Sequence, residues 1–159
     1  MAYQKLQAGL ALEIIPSAIA IPNPAYGSTL TGTNDVLLAS NLEDTTADFI
    51  TAGVSVGDVV YNTTDGTTAS VTVVVSATVL TLSTDIFLAT AKSYKVFAGA
   101  SVSPQNGCVL YVGTRGDVVV ETTSGSQVTF KNIANAQFMP VQVLKVLATT
   151  TASDIIALW

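Results

Sequence analysis

Short runs of β-branched and apolar residues, separated by Gly, Ser, Asn and Asp, follow one another along most of the chain. The C-terminal stretch is the densest in such runs, and its predicted strands are 108–112, 117–122, 127–132, 137–148 and 154–158. Runs of this length, with turn residues between them, are typical of an antiparallel sandwich such as a jelly roll. Pro140 has no N–H to donate, so the fourth strand should begin after it, bulge there or lie on an edge.

The stretch from Gly27 to Gly99 is richer in Thr and Asp and predicts a second, smaller β unit. Asp65-Gly66 between two β-rich runs is a strong hairpin signal. About five strands are expected in a small barrel or sandwich, and they are 36–39, 56–62, 69–75, 78–82 and 94–97. Because compact domains often have adjacent ends, this unit could be an insertion in a larger whole.

One or two helical turns are expected between the first two of these strands, over residues 45–53. Thr45 or Thr46 can cap the first turn, and Gly53 can adopt the left-handed conformation that ends it. Phe49 and Ile50 are expected to turn inward.

Residues 1–26 read as an extended arm or a first strand, because its prolines oppose a helix. Its apolar side chains could pair with the C-terminal sheet, in the same chain or in a neighbouring subunit. A large ring at Trp159 would pack at the chain end or form a subunit contact. The predicted interface residues are therefore Leu10, Leu12, Ile14, Ile15 and Trp159.

The pattern thus predicts an all-β protein: an antiparallel, jelly-roll-like β-sandwich with an inserted small β-barrel or sandwich module and an extended N-terminal arm. The domains are 1–26 (arm), 27–99 (inserted module) and 100–159 (base).

The composition of the chain argues against several functions. Of the 159 residues, 49% are hydrophobic and only 11% charged, so other subunits are expected to cover part of the surface. The net charge is −5 and the basic residues are scattered, which argues against nucleic-acid binding. The apolar segments of the arm are too short to span a bilayer. Cys108 is the sole cysteine and, within an apolar run, is read as a buried thiol.

The residues offer little for catalysis, because histidine is absent and no phosphate loop or nucleophile elbow occurs. Glu43 with Asp44 and Asp48, or Asp58 with Asp65, could form a glycosidase pair or a calcium site. Roles at turns and strand starts explain these acids better. We therefore predict no enzyme, no cofactor and no metal.

Aromatic residues could alternatively line a sugar-binding face. The candidates are Tyr61, Tyr94, Phe97, Tyr111 and Trp159. Aromatic stripes on strands are more often part of a core.

Several C-terminal segments carry a resemblance to a known family. They are LYVGT (110–114), GDV (116–118), VTFKN (128–132), MPVQV (139–143) and ATTTASDIIALW (148–159). With them, the chain resembles the spike-base or head-decoration proteins of gene transfer agents and related, often marine, tailed phages. The middle stretch departs from the short members and resembles a β module of phage structural proteins.

The resemblance implies a virion protein on the capsid exterior, acting as a decoration (cement) subunit or as the base of a head spike or fibre. It implies a homo-oligomer, a trimer or pentamer, that contacts the major capsid protein or other virion proteins. The alternative is a carbohydrate-binding, host-adhesion module that contacts surface glycans. No catalytic residue is carried over by the resemblance.

Overall fold

The computed structural model of the chain describes residues 8–99 and 107–159. Within them the protein is all-β, with two six-stranded antiparallel sheets. One sheet curls into a half-barrel, which is consistent with a β-sandwich. The predicted all-β antiparallel fold is confirmed. Residues 1–7 of the predicted arm and residues 100–106 of the predicted base lie outside the described residues.

The strands follow one another along the chain with turns and loops between them. They are β1 (Ala11–Glu13), β2 (Thr29–Thr33), β3 (Asn41–Glu43), β4 (Val59–Asn62), β5 (Thr67–Val74), β6 (Val79–Leu82), β7 (Ser93–Phe97), β8 (Cys108–Thr114), β9 (Gly116–Thr122), β10 (Gln127–Ile133), β11 (Gln137–Val146) and β12 (Ser153–Leu158). In the described parts of the chain, no helix is long and apolar enough to cross a membrane.

The described residues group into two compact units. The terminal unit comprises residues 8–21 and 107–159, and the middle unit comprises residues 22–99. The first boundary follows Ile21, earlier than the predicted end of the arm at Tyr26. The chain turns just after this boundary, where the side chain of Asn23 accepts the N–H of Ala25 and its carbonyl accepts the N–H of Tyr26.

The sheet of the terminal unit has the strand order β1-β12-β8-β11-β9-β10. Its core follows the period-two alternation of strands, with Leu110 and Val112 of β8 and Val118 and Val120 of β9 fully buried. Each of the five strands predicted from this part of the sequence is present. The pairing of β11 with β8 shifts register between Met139 and Val143. Of the three arrangements expected at Pro140, the structure is therefore nearest to the bulge, and β11 begins before the proline, at Gln137.

The sheet of the middle unit has the order β2-β7-β4-β5-β6-β3. The hairpin between β4 and β5 is confirmed, with Asn62 paired to Thr67 and Gly66 at a φ of 66°. Phe49 and Phe87 come from loops and are fully buried, and both rings contact Tyr94. Loops therefore complete the core that the sheet begins.

Some predictions for the middle unit are wrong. Residues 36–39 form no strand beyond a single bridge between Val36 and Glu43. Of the one or two helical turns predicted over residues 45–53, the structure has a single turn, closed by the Ala52 N–H on the Asp48 carbonyl, and otherwise non-helical turns. Phe49 is buried as expected and Gly53 has a φ of 79°. Ile50 points to solvent instead of inward. The structure adds β2 and β3, which the sequence pattern did not indicate.

Candidate assembly surface

Asp44, from the first group of acids singled out from the sequence, has a structural role. Asp44 is buried and accepts hydrogen bonds from the Tyr94 hydroxyl at 2.7 Å and the Thr46 hydroxyl at 2.6 Å. Burial alone would raise the pKa of Asp44, but these hydrogen bonds outweigh it and hold the pKa below its usual value. Burial and the neighbouring Asp44 raise the pKa of Tyr94.

The other candidate acids also hold turns. Asp58 accepts the N–H of Ser55 at 2.8 Å and that of Gly99 at 3.1 Å. Asp48 accepts the N–H of Thr51, which lowers the pKa of Asp48. Asp65 pairs with Lys92 at 2.8 Å. Within residues 8–99 and 107–159, no three acidic or cysteine side chains are grouped so as to hold a metal ion.

Most aromatic candidates for a sugar-binding face lie inside the middle unit. Tyr61, Tyr94 and Phe97 are buried, and the rings of Tyr61 and Phe97 meet edge to face at 5.0 Å. Tyr111 and Trp159 are partly exposed. Cys108 is buried as expected, and burial raises the pKa of its thiol to about 12, which leaves the thiol protonated and inert.

The arm residues predicted as interface candidates lie at one edge of the terminal sheet. β1 pairs with β12 of the same chain, with Leu12 opposite Ala157. Leu12 and Ile14 are buried there, whereas Leu10 and Ile15 are partly exposed. Trp159 exchanges backbone hydrogen bonds with Leu10. Exchange of the arm between subunits stays a prediction.

The opposite edge of the same sheet has a different character. β10 pairs with β9 on one side, and no other described strand pairs with it. None of its seven residues is buried. Val128 and Phe130 lie opposite Val120 and Val118, so they continue the apolar face of the core beyond the core itself.

A pocket opens beside this strand, with a volume of about 340 Å³. Its lining is mostly apolar and comes from β10, β11 and the turn between them: Phe130, Asn132, Ile133, Ala134, Gln137, Phe138, Met139, Pro140 and Val141. Phe138 is 45% exposed and nearby Val128 is 39% exposed. We call Val128, Phe130, Ile133, Phe138 and Val141 the apolar patch.

Sequence reasoning missed the apolar patch, although it predicted the strands that carry it. The alternation of Val128 and Phe130 is the same as that of a buried strand face, and only the strand order reveals that β10 is an edge. Pro140 was the available signal, since proline in a strand marks an edge or a bulge.

Comparison of the chain with protein-family models, with curated proteins and with solved structures finds no match. The resemblance to head-decoration and spike-base proteins thus remains an expectation from the sequence. The function has to be argued from the surface of the chain itself.

Proposed function

We propose that this protein is a structural subunit of a virion, a decoration (cement) protein or the base of a head spike, that assembles as a homo-oligomer on the capsid exterior. The apolar patch carries this proposal. Val128 and Phe130 continue the core face of the sheet, and the pocket brings Phe130 and Phe138 together. A soluble monomer rarely leaves such an apolar surface uncovered, and it typically marks a protein interface.

The chemistry of the patch favours a protein partner. Aromatic and aliphatic side chains around a shallow pocket form the kind of centre that dominates binding energy in interfaces. Asn132 and Gln137 at the pocket supply amide groups for hydrogen bonds at its rim. No charged residue lines the pocket, so partner binding there would be driven by apolar burial.

The two alternative functions, sugar binding and hydrolysis, have less support. A sugar-binding face needs exposed rings, but Tyr61, Tyr94 and Phe97 are buried. An acid pair for hydrolysis needs carboxylates that converge, but Asp44, Asp58 and Asp65 each hold a separate turn or core contact.

Co-expression with the major capsid protein encoded by the same genome tests the proposal. Shells are isolated by gradient sedimentation, and the copies of this chain per shell are measured by quantitative mass spectrometry. The wild-type chain should sediment with the shells, and the double variant Val128→Ser, Phe138→Ser should lower its occupancy at least tenfold, because it removes apolar contacts from the patch.

Val73→Ser is the matched control, because Val73 is an exposed valine on a strand of the middle unit. Its occupancy should equal that of the wild type. Shells that carry none of the wild-type chain, or equal occupancy by the double variant, would contradict the proposal.

A further inference from the structure

We infer that the free edge of β10 in one copy of the chain pairs with the free edge of β1 in a second copy, so that the sheet of the terminal unit continues from subunit to subunit. The inference deepens the proposed function and rests on its self-assembly part. The partner is an identical chain, and the contact consists of backbone hydrogen bonds between two strands and one ion pair.

The backbone of Thr129 points away from the rest of the sheet. Thr122 donates its N–H to the Ser126 carbonyl, which sets the alternation of hydrogen-bonded pairs between β9 and β10. Val119, which lies opposite Thr129, instead bonds to Leu147 and to the Thr150 hydroxyl. Thr129 therefore presents an N–H and a carbonyl to whatever lies beyond the edge.

β1 offers the complementary groups at the other end of the sheet. Leu10 exchanges hydrogen bonds with Trp159, and the Ile14 N–H bonds to the Ile155 carbonyl. By alternation, Ala11 and Glu13 direct their backbone groups outward. Among the described strands, β1 and β10 are thus each paired on one side only, one at each end of a single sheet.

The charges on the two edges are opposite. Glu13 is the sole charged residue of β1 and Lys131 the sole charged residue of β10. Both are exposed, and neither forms an ion pair within the described residues. Each alternates with apolar neighbours on the core side, Leu12 and Phe130, so aligning the two core faces puts Glu13 and Lys131 on the same outer face.

The first part of the β10 edge carries little of the usual protection against such pairing. Edge strands of soluble proteins are commonly blunted by proline, by charges, by β-bulges or by a covering loop. β10 has no proline, and its one lysine and its register shift, between Phe130 and Ile133, lie towards its C-terminal end, so residues 127–130 keep a regular edge. Because a contact between two different edges is heterologous, it closes into a ring when the rotation between copies allows. Pairing of β10 with itself would leave β1 open.

A charge exchange tests this pairing on the full-length protein, with subunit dissociation followed by native mass spectrometry and light scattering. Glu13→Lys and Lys131→Glu should each raise the dissociation constant about tenfold, because each places like charges across the contact. The double exchange should return the constant to near the wild-type value, since the pair is restored with reversed sign.

Thr129→Pro should abolish the oligomer because it removes the outward N–H. Thr129→Val keeps that N–H and is the matched control. Amide protection of Val128 must be unchanged in the proline variant, which shows that β10 still pairs with β9.

Two outcomes would overturn the inference without touching the proposed function: an oligomer that Thr129→Pro leaves intact, and a dimer that responds to Lys131→Glu but not to Glu13→Lys. A monomeric wild type would overturn both the inference and the self-assembly part of the proposed function, and the shell-binding measurement judges the capsid-binding part separately. Loss of shell binding with an intact, charge-sensitive oligomer would count against the proposed function alone.

Discussion

The two units of this protein keep apolar surface from water in different ways. In the middle unit, loops carry Phe49 and Phe87 over the sheet and close the core. In the terminal unit, β10 adds no buried residue, and its core-side Val128 remains exposed. The middle unit has exposed apolar residues too, such as Leu88, but that residue lies on a loop and not on the core face of a sheet.

The distribution of buried polar groups sharpens the contrast. The buried polar side chains of the described residues are Asn34, Asp44, Asp58 and Asn62, which all belong to the middle unit. A satisfied polar network fixes one arrangement of a core. The terminal unit relies on apolar packing and ends in an open edge. The difference teaches that the middle unit closes its core with its own loops, whereas the terminal unit leaves core-side residues of β10 exposed, where we propose that a second copy binds.

The largest expected effect is local to the terminal unit and comes from Gly116→Ala. A Cβ at Gly116 would lie 2.6 Å from the Ala152 Cα and 2.7 Å from the Thr151 carbonyl carbon, and backbone atoms cannot move aside easily. We expect a loss of about 3 kcal/mol in the free energy of unfolding. Hydrogen exchange should locate the loss of protection in residues 107–159. Gly9→Ala, where the Cβ meets nothing within 4 Å, should have no such effect.

The corresponding change in the middle unit is Gly32→Ala. The new Cβ would lie 2.6 Å from Asp44 Oδ2 and would also clash with the Tyr94 ring, so the side chains that form the Tyr94–Asp44 hydrogen bond must shift. Because the Tyr94 side chain can shift, the expected cost is smaller, about 2 kcal/mol. Exchange protection should fall within residues 27–99. Equal loss in both units would contradict the division drawn between them.

Acid should weaken the middle unit first. The carboxyls whose pKa is clearly lowered, Asp44, Asp48 and Asp65, all lie there. A lowered folded-state pKa stabilises the fold above the ordinary value of 3.8, and that contribution is lost as the pH falls through the folded pKa. Asp44→Asn should cost about 1 kcal/mol at pH 7 and flatten the fall in stability between pH 5 and 2. An unchanged pH profile in denaturant titrations would exclude this role for Asp44.

The smallest effect concerns an ion pair of the terminal unit. Lys145 on β11 lies directly opposite Glu121 on β9, with Nζ and Oε2 3.0 Å apart. Since both side chains are partly exposed, Lys145→Met should cost only about 0.5 kcal/mol. A loss several times larger in the same titration would contradict the account that this ion pair contributes little to the stability of the unit.

The local pattern of apolar and polar residues predicted most of the strands. The strands that it missed or misplaced depend on contacts between distant parts of the chain or on strands with few apolar residues. The alternation in residues 108–158 predicted every strand of that region, because four of its five strands have one buried face and β10 keeps the same alternation. The apolar run from Val36 to Leu38 wrongly indicated a strand. It lies in a loop, which the Asn34 side chain holds by hydrogen bonds to Ala89 and Lys92. β2 was missed because its only large apolar residue is Leu30.

The site was harder to predict than the fold. Residues Leu12 and Ile14 were chosen as interface candidates because they are apolar, but their burial in their own unit follows from the pairing of β1 with β12. The edge position of β10 depends on which strands are neighbours, which is a long-range property that no local pattern encodes.

The central claim is that the open edge of the terminal unit is completed by another copy, and amide exchange at Thr129 tests it most directly. Exchange is measured residue by residue at low and at high protein concentration, with Val128 as the internal reference that pairs with β9 in either state. The account predicts that Val128 stays protected throughout and that Thr129 becomes protected as the protein assembles. Exchange at Thr129 that stays fast in the assembled protein would contradict it.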